Sequence, residues 1–140
     1  MTVKAASKRR QASNIFKEAE SFSSFSVNDV KQAKDFYGET LGLNVYETPE
    51  GLELRTGDNT IFVYPKPNHT PASFTVLNFK VDDIEEALKE LAAVGVSLER
   101  YNLPDIKTDE RGIFHGPGHQ IAWFKDPAGN GRGSPSFIPR

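Results

Sequence analysis

The sequence predicts an α+β fold made of two βαβββ modules, whose curved mixed sheets face each other around a cleft. Two observations predict it. The order strand, helix, strand, strand, strand occurs twice, and short motifs recur after about 50 residues. Val27-Asn28-Asp29-Val30 matches Val81-Asp82-Asp83-Ile84, and Leu41-Gly42-Leu43 matches Val94-Gly95-Val96. Such repetition is typical of a duplicated unit that buries its apolar face against its twin.

The first module spans residues 21–65. Phe22 to Val27 alternates large and small side chains, which predicts a strand with one packed face. Asn28 or Asp29 then offers a helix N-cap, and Gly42 suits the left-handed residue that ends a helix. Three extended runs separated by turn residues follow, namely Leu43–Thr48, Leu52–Thr56 and Thr60–Pro65.

The second module spans residues 73–130, after a proline-containing linker at 66–72. Its helix begins after Asp82-Asp83 and ends at Gly95, because acidic caps and a terminal glycine mark helix boundaries. The extended segments expected around this helix are Ser73–Val81, Val96–Tyr101, a short strand at Ile113-Phe114, and Gln120–Lys125 before the turn Asp126-Pro127-Ala128-Gly129.

The last ten residues do not suit a central strand. Residues 131–140 contain two Gly and two Pro, so we expect an irregular tail in which only Ser136–Ile138 could pair. The final strand of the second module is therefore predicted to be atypical or missing. Either the tail pairs irregularly, or a second chain fills the gap, or the fold is weakened there.

Composition excludes several classes of protein. The chain has no cysteine, which removes disulfides and thiolate chemistry, and no apolar run near the ~20 residues that span a bilayer. Residues 1–20 are basic and are expected to form a flexible arm. The rest of the chain is acidic and would repel phosphates, so we do not expect a nucleic-acid partner. No targeting signal is visible, so cytoplasmic residence is the default.

Several motifs identify a family resemblance over roughly residues 21–130. Val27-Asn28-Asp29-Val30, Ala33-Lys34-Asp35-Phe36-Tyr37 and the turn within Phe124–Asn130 resemble proteins of the vicinal oxygen chelate superfamily. That superfamily includes glyoxalase I, extradiol dioxygenases, and fosfomycin- and bleomycin-resistance proteins. The resemblance implies two βαβββ modules around a cleft. In metal-dependent members, four His, Glu or Gln ligands from the first and last strand of each module point into it.

The positions where such members hold a metal carry unsuitable side chains here. Counting from the motifs places them on Phe22, near Val63, on Val76 and near Gly133. None of these side chains offers an N or O donor, which a divalent cation requires. We therefore expect no metal and no cofactor. The resemblance to bleomycin-resistance proteins, which bind a drug without a catalytic metal and often dimerise, implies a small organic ligand and a homodimer.

The predicted ligand site is an aromatic, mostly apolar cleft. Strand alternation places some side chains inward, and two imidazoles lie in the glycine-rich loop His115-Gly116-Pro117-Gly118-His119 at its rim. The cleft residues are predicted to be Phe22, Ser24, Ser26, Val76, Asn78, Tyr101, Phe114, His115 and Trp123. A mixture of aromatic rings with a few polar groups is typical of small-ligand sites, although the same rings could simply pack the sheet interface.

Three functions follow as hypotheses, and the one ranked last is an interaction module that uses the basic arm of residues 1–20 to bind nucleic acid. The first is a metal-independent binding protein for a small aromatic or amphiphilic molecule. The alternative is a metal-dependent lyase or dioxygenase of the vicinal oxygen chelate type, with its ligands displaced from the counted positions. No catalytic residue can be assigned from the sequence in either case.

Overall fold

The computed structural model describes residues 14–130 and the backbone of residues 136–139. Its α+β architecture confirms the predicted fold class of two βαβββ modules. Each module contributes one four-stranded mixed sheet, and the two sheets have equivalent strand orders, β1-β4-β3-β2 and β5-β8-β7-β6. In each, the first strand pairs in parallel with the last, as the duplication in the sequence predicts.

The first module begins after a short exposed helix, α1 (Ile15–Glu18). Its helix α2 is capped by Asp29, whose carboxylate accepts a hydrogen bond from the Gln32 N–H at 3.1 Å. The elements of this module are β1 (Ser23–Val27), α2 (Val30–Lys34) continuing as a π-helical segment (Asp35–Thr40), β2 (Asn44–Thr48), β3 (Gly51–Thr56) and β4 (Asn59–Pro65).

The second module repeats this order with shorter strands. Its helix is capped by Asp83, which accepts from the N–H groups of Glu85 and Glu86 at 3.0 and 3.3 Å. The elements are β5 (Asn78–Val81), α3 (Ile84–Ala93), β6 (Ile113–Gly116), β7 (His119–Trp123) and β8 (Ser136–Pro139).

Residues near the end of the chain form the last strand of the second module, which the sequence predicted to be atypical or missing. Strand β8 lies between β5 and β7, parallel to the first and antiparallel to the second, so the tail of this chain fills the gap. Pro139 is the last residue of β8 and lies beyond the two residues that pair with β7. The tail predicted as irregular over 131–140 is thus a strand over Ser136–Pro139, and residues 131–135 lie outside the described part.

Two strands predicted for the second module differ from the structure: one is shorter than predicted, and the other does not form. The strand expected over Ser73–Val81 forms only at Asn78–Val81, where it pairs with Ser136–Pro139 of β8. The segment Val96–Tyr101 joins no sheet. It is held by isolated backbone hydrogen bonds instead, including one from the Glu99 N–H to the Trp123 carbonyl oxygen at 2.7 Å.

Each sheet has one face covered by its helix and one face that its helix leaves open. In the first sheet, the helix face carries Phe25 and Val27, which pack against Ala33 and Tyr37. In the second, Ile113 and Ala122 pack with Ile84 and Leu91 of α3. Because side chains alternate along a strand, the residues between these positions point to the open faces.

A buried polar network joins the modules. The Asp126 carboxylate accepts hydrogen bonds from the Tyr37 hydroxyl and the Asn130 side-chain amide, both at 2.8 Å, and from the Asn130 N–H at 3.0 Å. The Asn130 amide also donates to the Ser26 carbonyl at 3.1 Å, and its oxygen accepts from the Ala72 N–H at 3.2 Å. This network ties the π-helical segment after α2, strand β1, the linker and the turn after β7 to one another.

The predicted basic arm lies mostly outside the described residues, which begin at residue 14. Residues 14–20 are exposed, and they include Ile15 and Phe16, which are 66% and 78% exposed. Among the described residues, no helix is both long and apolar enough to cross a bilayer.

Candidate functional site

Three aromatic side chains form a cluster at the open face of the second sheet. The Trp123 ring lies 5.6 Å from Tyr101 and 6.0 Å from Phe114, measured between ring centroids. Trp123 and Phe114 alternate with Ala122 and Ile113, which are buried on the helix face. The cluster is therefore turned away from α3, and we name these three residues the aromatic cluster.

The open face of the first sheet carries the predicted residues Ser24 and Ser26 together with a set that the sequence analysis missed. Phe62 stands beside Ser24 and Tyr64 beside Ser26 in the parallel register of β1 and β4. The Phe62 and Tyr64 rings are stacked with centroids 6.2 Å apart. The missed set is Tyr46, Glu53, Arg55, Phe62 and Tyr64. The two-residue alternation in β3 and β4 was the signal that could have found them.

Arg55 gives this face a fixed positive charge. Its guanidinium lies 4.4 Å from the centroid of the Tyr46 ring and 3.4 Å from the Glu53 carboxylate. Stacking on an aromatic ring and pairing with a carboxylate both orient a guanidinium. The open face therefore presents aromatic rings beside charged groups of both signs.

Two recesses adjoin the open faces. The first has a volume of about 880 Å³ and lies where the start of β1 approaches β5; its walls include Phe22 and Asn78. We name it the junction cleft. The second, of about 490 Å³, lies between β1 and residues 70–76, and Ser24, Ser26 and Val76 line it. We name it the linker recess. Both volumes are within the range of small-molecule sites.

The structure therefore divides the predicted site residues into groups. Phe22 and Asn78 line the junction cleft, Ser24, Ser26 and Val76 line the linker recess, and Tyr101, Phe114 and Trp123 form the aromatic cluster. Val76 precedes β5 rather than lying in it, and its side chain packs against the core of the first module.

His115 lies apart from these groups. It shares a face of β6 with the buried Ile113, so it is on the side of α3, opposite to Phe114. Its Nε2 lies 2.7 Å from the Asp109 carboxylate. Hydrogen bonding from His115, then from the Ile113 N–H, lowers the pKa of Asp109 to about 2. This arrangement fixes the 109–113 loop to β6.

The metal positions implied by the family do not fit a cation. Val63, near which one ligand was counted, is fully buried on the helix face. Its open-face neighbours are Phe62 and Tyr64, neither of which is a usual ligand. Phe22 is 66% exposed, and Gly133 lies outside the described residues. Within the part of the chain that the structure describes, no three His, Cys, Asp or Glu side chains gather as a metal site would require.

The repeated βαβββ modules, the paired sheets and the recesses beside them define a protein of the vicinal oxygen chelate class. The sequence model of the Glyoxalase/Bleomycin resistance protein/Dioxygenase superfamily matches residues 22–131. The chain belongs to this superfamily. A search of curated proteins found no match to the sequence.

Solved structures share the fold at low sequence identity. A glyoxalase family protein from Bacillus anthracis superposes with a TM-score of 0.63 and 23% identity, over 87% of this chain and 96% of that one. A bleomycin-binding protein complexed with bleomycin gives 0.62 and 22%, over 87% and 98%. The antibiotic-binding protein TnmS3 from Streptomyces sp. CB03234 gives 0.55 and 24%, over 87% and 97%. These likenesses concern the fold.

Proposed function

We propose that this protein binds a small aromatic or amphiphilic organic molecule at the open faces of its sheets, without a metal ion. The observation that carries the proposal is the aromatic cluster, in which Trp123 packs edge-on to Tyr101 at 5.6 Å on a face that α3 does not cover. On the first sheet, Phe62 and Tyr64 stand beside Ser24 and Ser26. Aromatic rings with hydroxyl groups beside them suit a ligand with both apolar and polar parts.

Charge and shape support the same class of ligand. Arg55 and Glu53 stand on the open face of the first sheet next to Phe62, and Asn78 lines the junction cleft. A planar ligand would stack on the rings while its polar groups meet these side chains. The misfit of the family's metal positions supports binding by stacking and hydrogen bonding rather than by coordination.

A homodimer is part of the proposal. Phe22 and Phe74 are 66% and 64% exposed, and Tyr46 is 47% exposed, all on or beside the open face of the first sheet. Aromatic surface of this kind is stabilised when a second protein surface excludes water from it. A second copy of the chain would cover both open faces symmetrically. Sedimentation equilibrium that found only monomers at micromolar concentration would remove this part of the proposal.

The chain contains one tryptophan, so its fluorescence reports directly on the proposed site. We expect bleomycin, or a planar cationic aromatic compound from a screening set, to change Trp123 emission saturably and to raise Tm. The change should persist after treatment with EDTA. Phe114→Leu should weaken binding about two- to tenfold, because an aromatic contact contributes about 0.5–1.5 kcal/mol beyond its buried area.

The matched control is Phe16→Leu, since Phe16 is 78% exposed on α1, outside both recesses. Its affinity should equal that of the wild type. Stoichiometric binding of nickel, zinc, manganese or iron(II), with a ligand response that EDTA abolishes, would favour the metal-dependent enzyme instead. A folded sample that responds to no compound in the set would refute the binding proposal.

A further inference from the structure

Ser26, which lines the linker recess, forms a hydrogen-bonded pair with His69. Ser26 Oγ lies 2.8 Å from His69 Nδ1, and His69 Nε2 lies 3.1 Å from the Ala128 carbonyl oxygen. The three residues come from β1, the linker and the turn after β7, so the contact is made only by the folded chain. Both side chains are half-buried, and Ser26 lines the recess.

The bonding partners assign the tautomer of the imidazole. A carbonyl oxygen can only accept, so the His69 Nε2–H donates to Ala128. In the neutral ring, Nδ1 is then the acceptor, and the proton in the contact with Ser26 belongs to the serine hydroxyl. The imidazole is thus held in the form that can take a proton from Ser26.

This arrangement matches the geometric requirements for an activated serine. A nucleophile needs a base within about 2.6–3.2 Å, and the base needs a third group that holds its orientation. Here His69 is the base and the Ala128 carbonyl is the orienting group. The carbonyl has no charge, so it orients the ring without the additional stabilisation that a carboxylate gives to an imidazolium.

The backbone around Ser26 adds a hydrogen-bond donor at the same place. The Val27 carbonyl accepts a hydrogen bond from the N–H of Lys66, the residue that follows β4 in the chain. The backbone N–H and carbonyl of Val27 therefore face β4. Neighbouring residues of a strand point their backbone groups in opposite directions, so the Ser26 N–H and carbonyl face the open edge of β1. The Ser26 carbonyl indeed meets the Asn130 amide at this edge. The Ser26 N–H is therefore directed toward this open edge of β1.

We propose that Ser26 is an acyl-accepting nucleophile with His69 as its general base, and that the linker recess takes the acyl part of a small ester. In the first step, Ser26 Oγ forms a bond to the carbonyl carbon while His69 Nδ1 takes the hydroxyl proton. The ester C–O bond then breaks, and the leaving alcohol departs with that proton. Water, activated by the same imidazole, releases the carboxylic acid and restores the serine.

The lining of the linker recess indicates which acyl groups fit. Tyr64, Pro71, Phe74 and Val76 make much of its wall apolar, and its volume is about 490 Å³. The described lining contains no Lys, Arg, Asp or Glu side chain. A short aliphatic or aromatic acyl group is therefore favoured over a charged one. This chemistry is separate from the reversible binding proposed above and does not depend on it.

The first experiment labels the wild-type protein with a fluorophosphonate probe, which forms an O–P bond to an activated serine and releases fluoride. Intact-mass and peptide analysis should show one adduct, on Ser26. Ser26→Ala should abolish it, whereas Ser97→Ala, at an exposed serine outside the recess, should leave the rate unchanged. His69→Gln should slow labelling about 10²–10⁴-fold, the range that a general base supplies. Release of p-nitrophenol from p-nitrophenyl acetate should follow the same order.

The absence of cysteine allows a second test that survives an unstable His69 variant. With His69 intact, Ser26→Cys should react with iodoacetamide about tenfold or more faster than Ser24→Cys, because an adjacent base increases the thiolate fraction. Ser24 lies two residues away on the same face, and within the described part of the chain none of the three histidines forms a hydrogen bond with it.

The outcomes are decisive in both directions. An adduct on Ser26 that His69→Gln slows, together with the faster alkylation of Ser26→Cys, supports the proposal. Absence of an adduct on Ser26 with equal alkylation of the two cysteine variants overturns it, and the pair then only fixes the linker. An adduct on Ser26 whose rate is the same in folded His69→Gln overturns the role of the base.

Discussion

Replacing Tyr37 with phenylalanine tests whether the buried network stabilises the junction between the modules. The change removes one hydroxyl and keeps the ring, whose centroid lies 5.1 Å from Phe36 and 5.9 Å from Phe25. Tyr37 is fully buried and Asp126 is 5% exposed, so water cannot readily replace the lost donor. The perturbation is therefore confined to a single hydrogen bond to a carboxylate.

The magnitude follows from the partners of Asp126. A hydrogen bond to a charged group contributes about 1.5–3 kcal/mol, and Tyr37→Phe should lower the free energy of unfolding by that amount. Asp126→Ala removes three such bonds and leaves the Asn130 N–H and side-chain amide short of an acceptor. We expect a loss of about 4–6 kcal/mol, since each unsatisfied buried donor adds roughly 1–3 kcal/mol.

Urea denaturation followed by circular dichroism measures both losses. Tyr46→Phe is the matched control, because Tyr46 is 47% exposed and its hydroxyl removal should change stability by less than about 0.5 kcal/mol. The double variant Tyr37→Phe/Asp126→Ala should lose less than the sum of the single losses. If Tyr37→Phe were as stable as Tyr46→Phe, the network would not contribute as reasoned.

The same residue predicts an alkaline transition. Burial, and then the neighbouring Asp126 charge, raises the pKa of Tyr37 well above its ordinary value near 10. A group whose folded-state pKa is raised contributes stability that is complete below the unfolded pKa and declines as pH rises above it. Stability of the wild type should therefore fall above pH ~10, and Tyr37→Phe should show a shallower decline in denaturation series from pH 8 to pH 11.

Three further outcomes follow from other contacts. The Asp109 carboxyl should titrate with a pKa of about 2 when followed by carbon-13 NMR. In His115→Ala this pKa should rise toward the ordinary ~3.9, because the hydrogen bond from the imidazole is the main cause of the lowering. An unchanged titration midpoint would contradict this cause. In Gly51→Ala the new Cβ would lie 2.2 Å from the Val63 carbonyl oxygen, so stability in urea should fall by about 1–3 kcal/mol. Deleting residues 136–140 removes β8 and exposes β5 and β7, so light scattering should detect aggregation absent from the full chain.

Local chemistry made much of the fold predictable. Asp29 and Asp83 cap their helices as the sequence indicates, and Gly42 and Gly95 adopt the positive φ angles of 78° and 80° that end them. These features depend on a few neighbouring residues. The alternation in β1 likewise predicted that Ser24 and Ser26 point away from the buried Phe25.

Other features depended on partners distant in sequence. The strand predicted at Ser73–Val81 was too long, and the part that forms pairs with β8, which lies more than 50 residues later. His115 was predicted at the rim of the cleft, but pairing of β6 with β7 turns it toward α3. The glycines around His115 indicated a loop, whereas His115 lies within β6. The side of the sheet to which His115 points could therefore not be assigned from the sequence.

The sequence by itself determined where helices begin and end, the twofold repeat, and the lack of thiols and of metal-binding residues at the family's counted positions. Only the tertiary structure decided that the tail completes the second sheet, that Ser26 meets His69, and that Tyr37 meets Asp126, 89 positions away in the sequence. The physical reason is range: caps and turns are satisfied within a few residues, whereas strand pairing and side-chain networks require the folded chain to bring distant groups together.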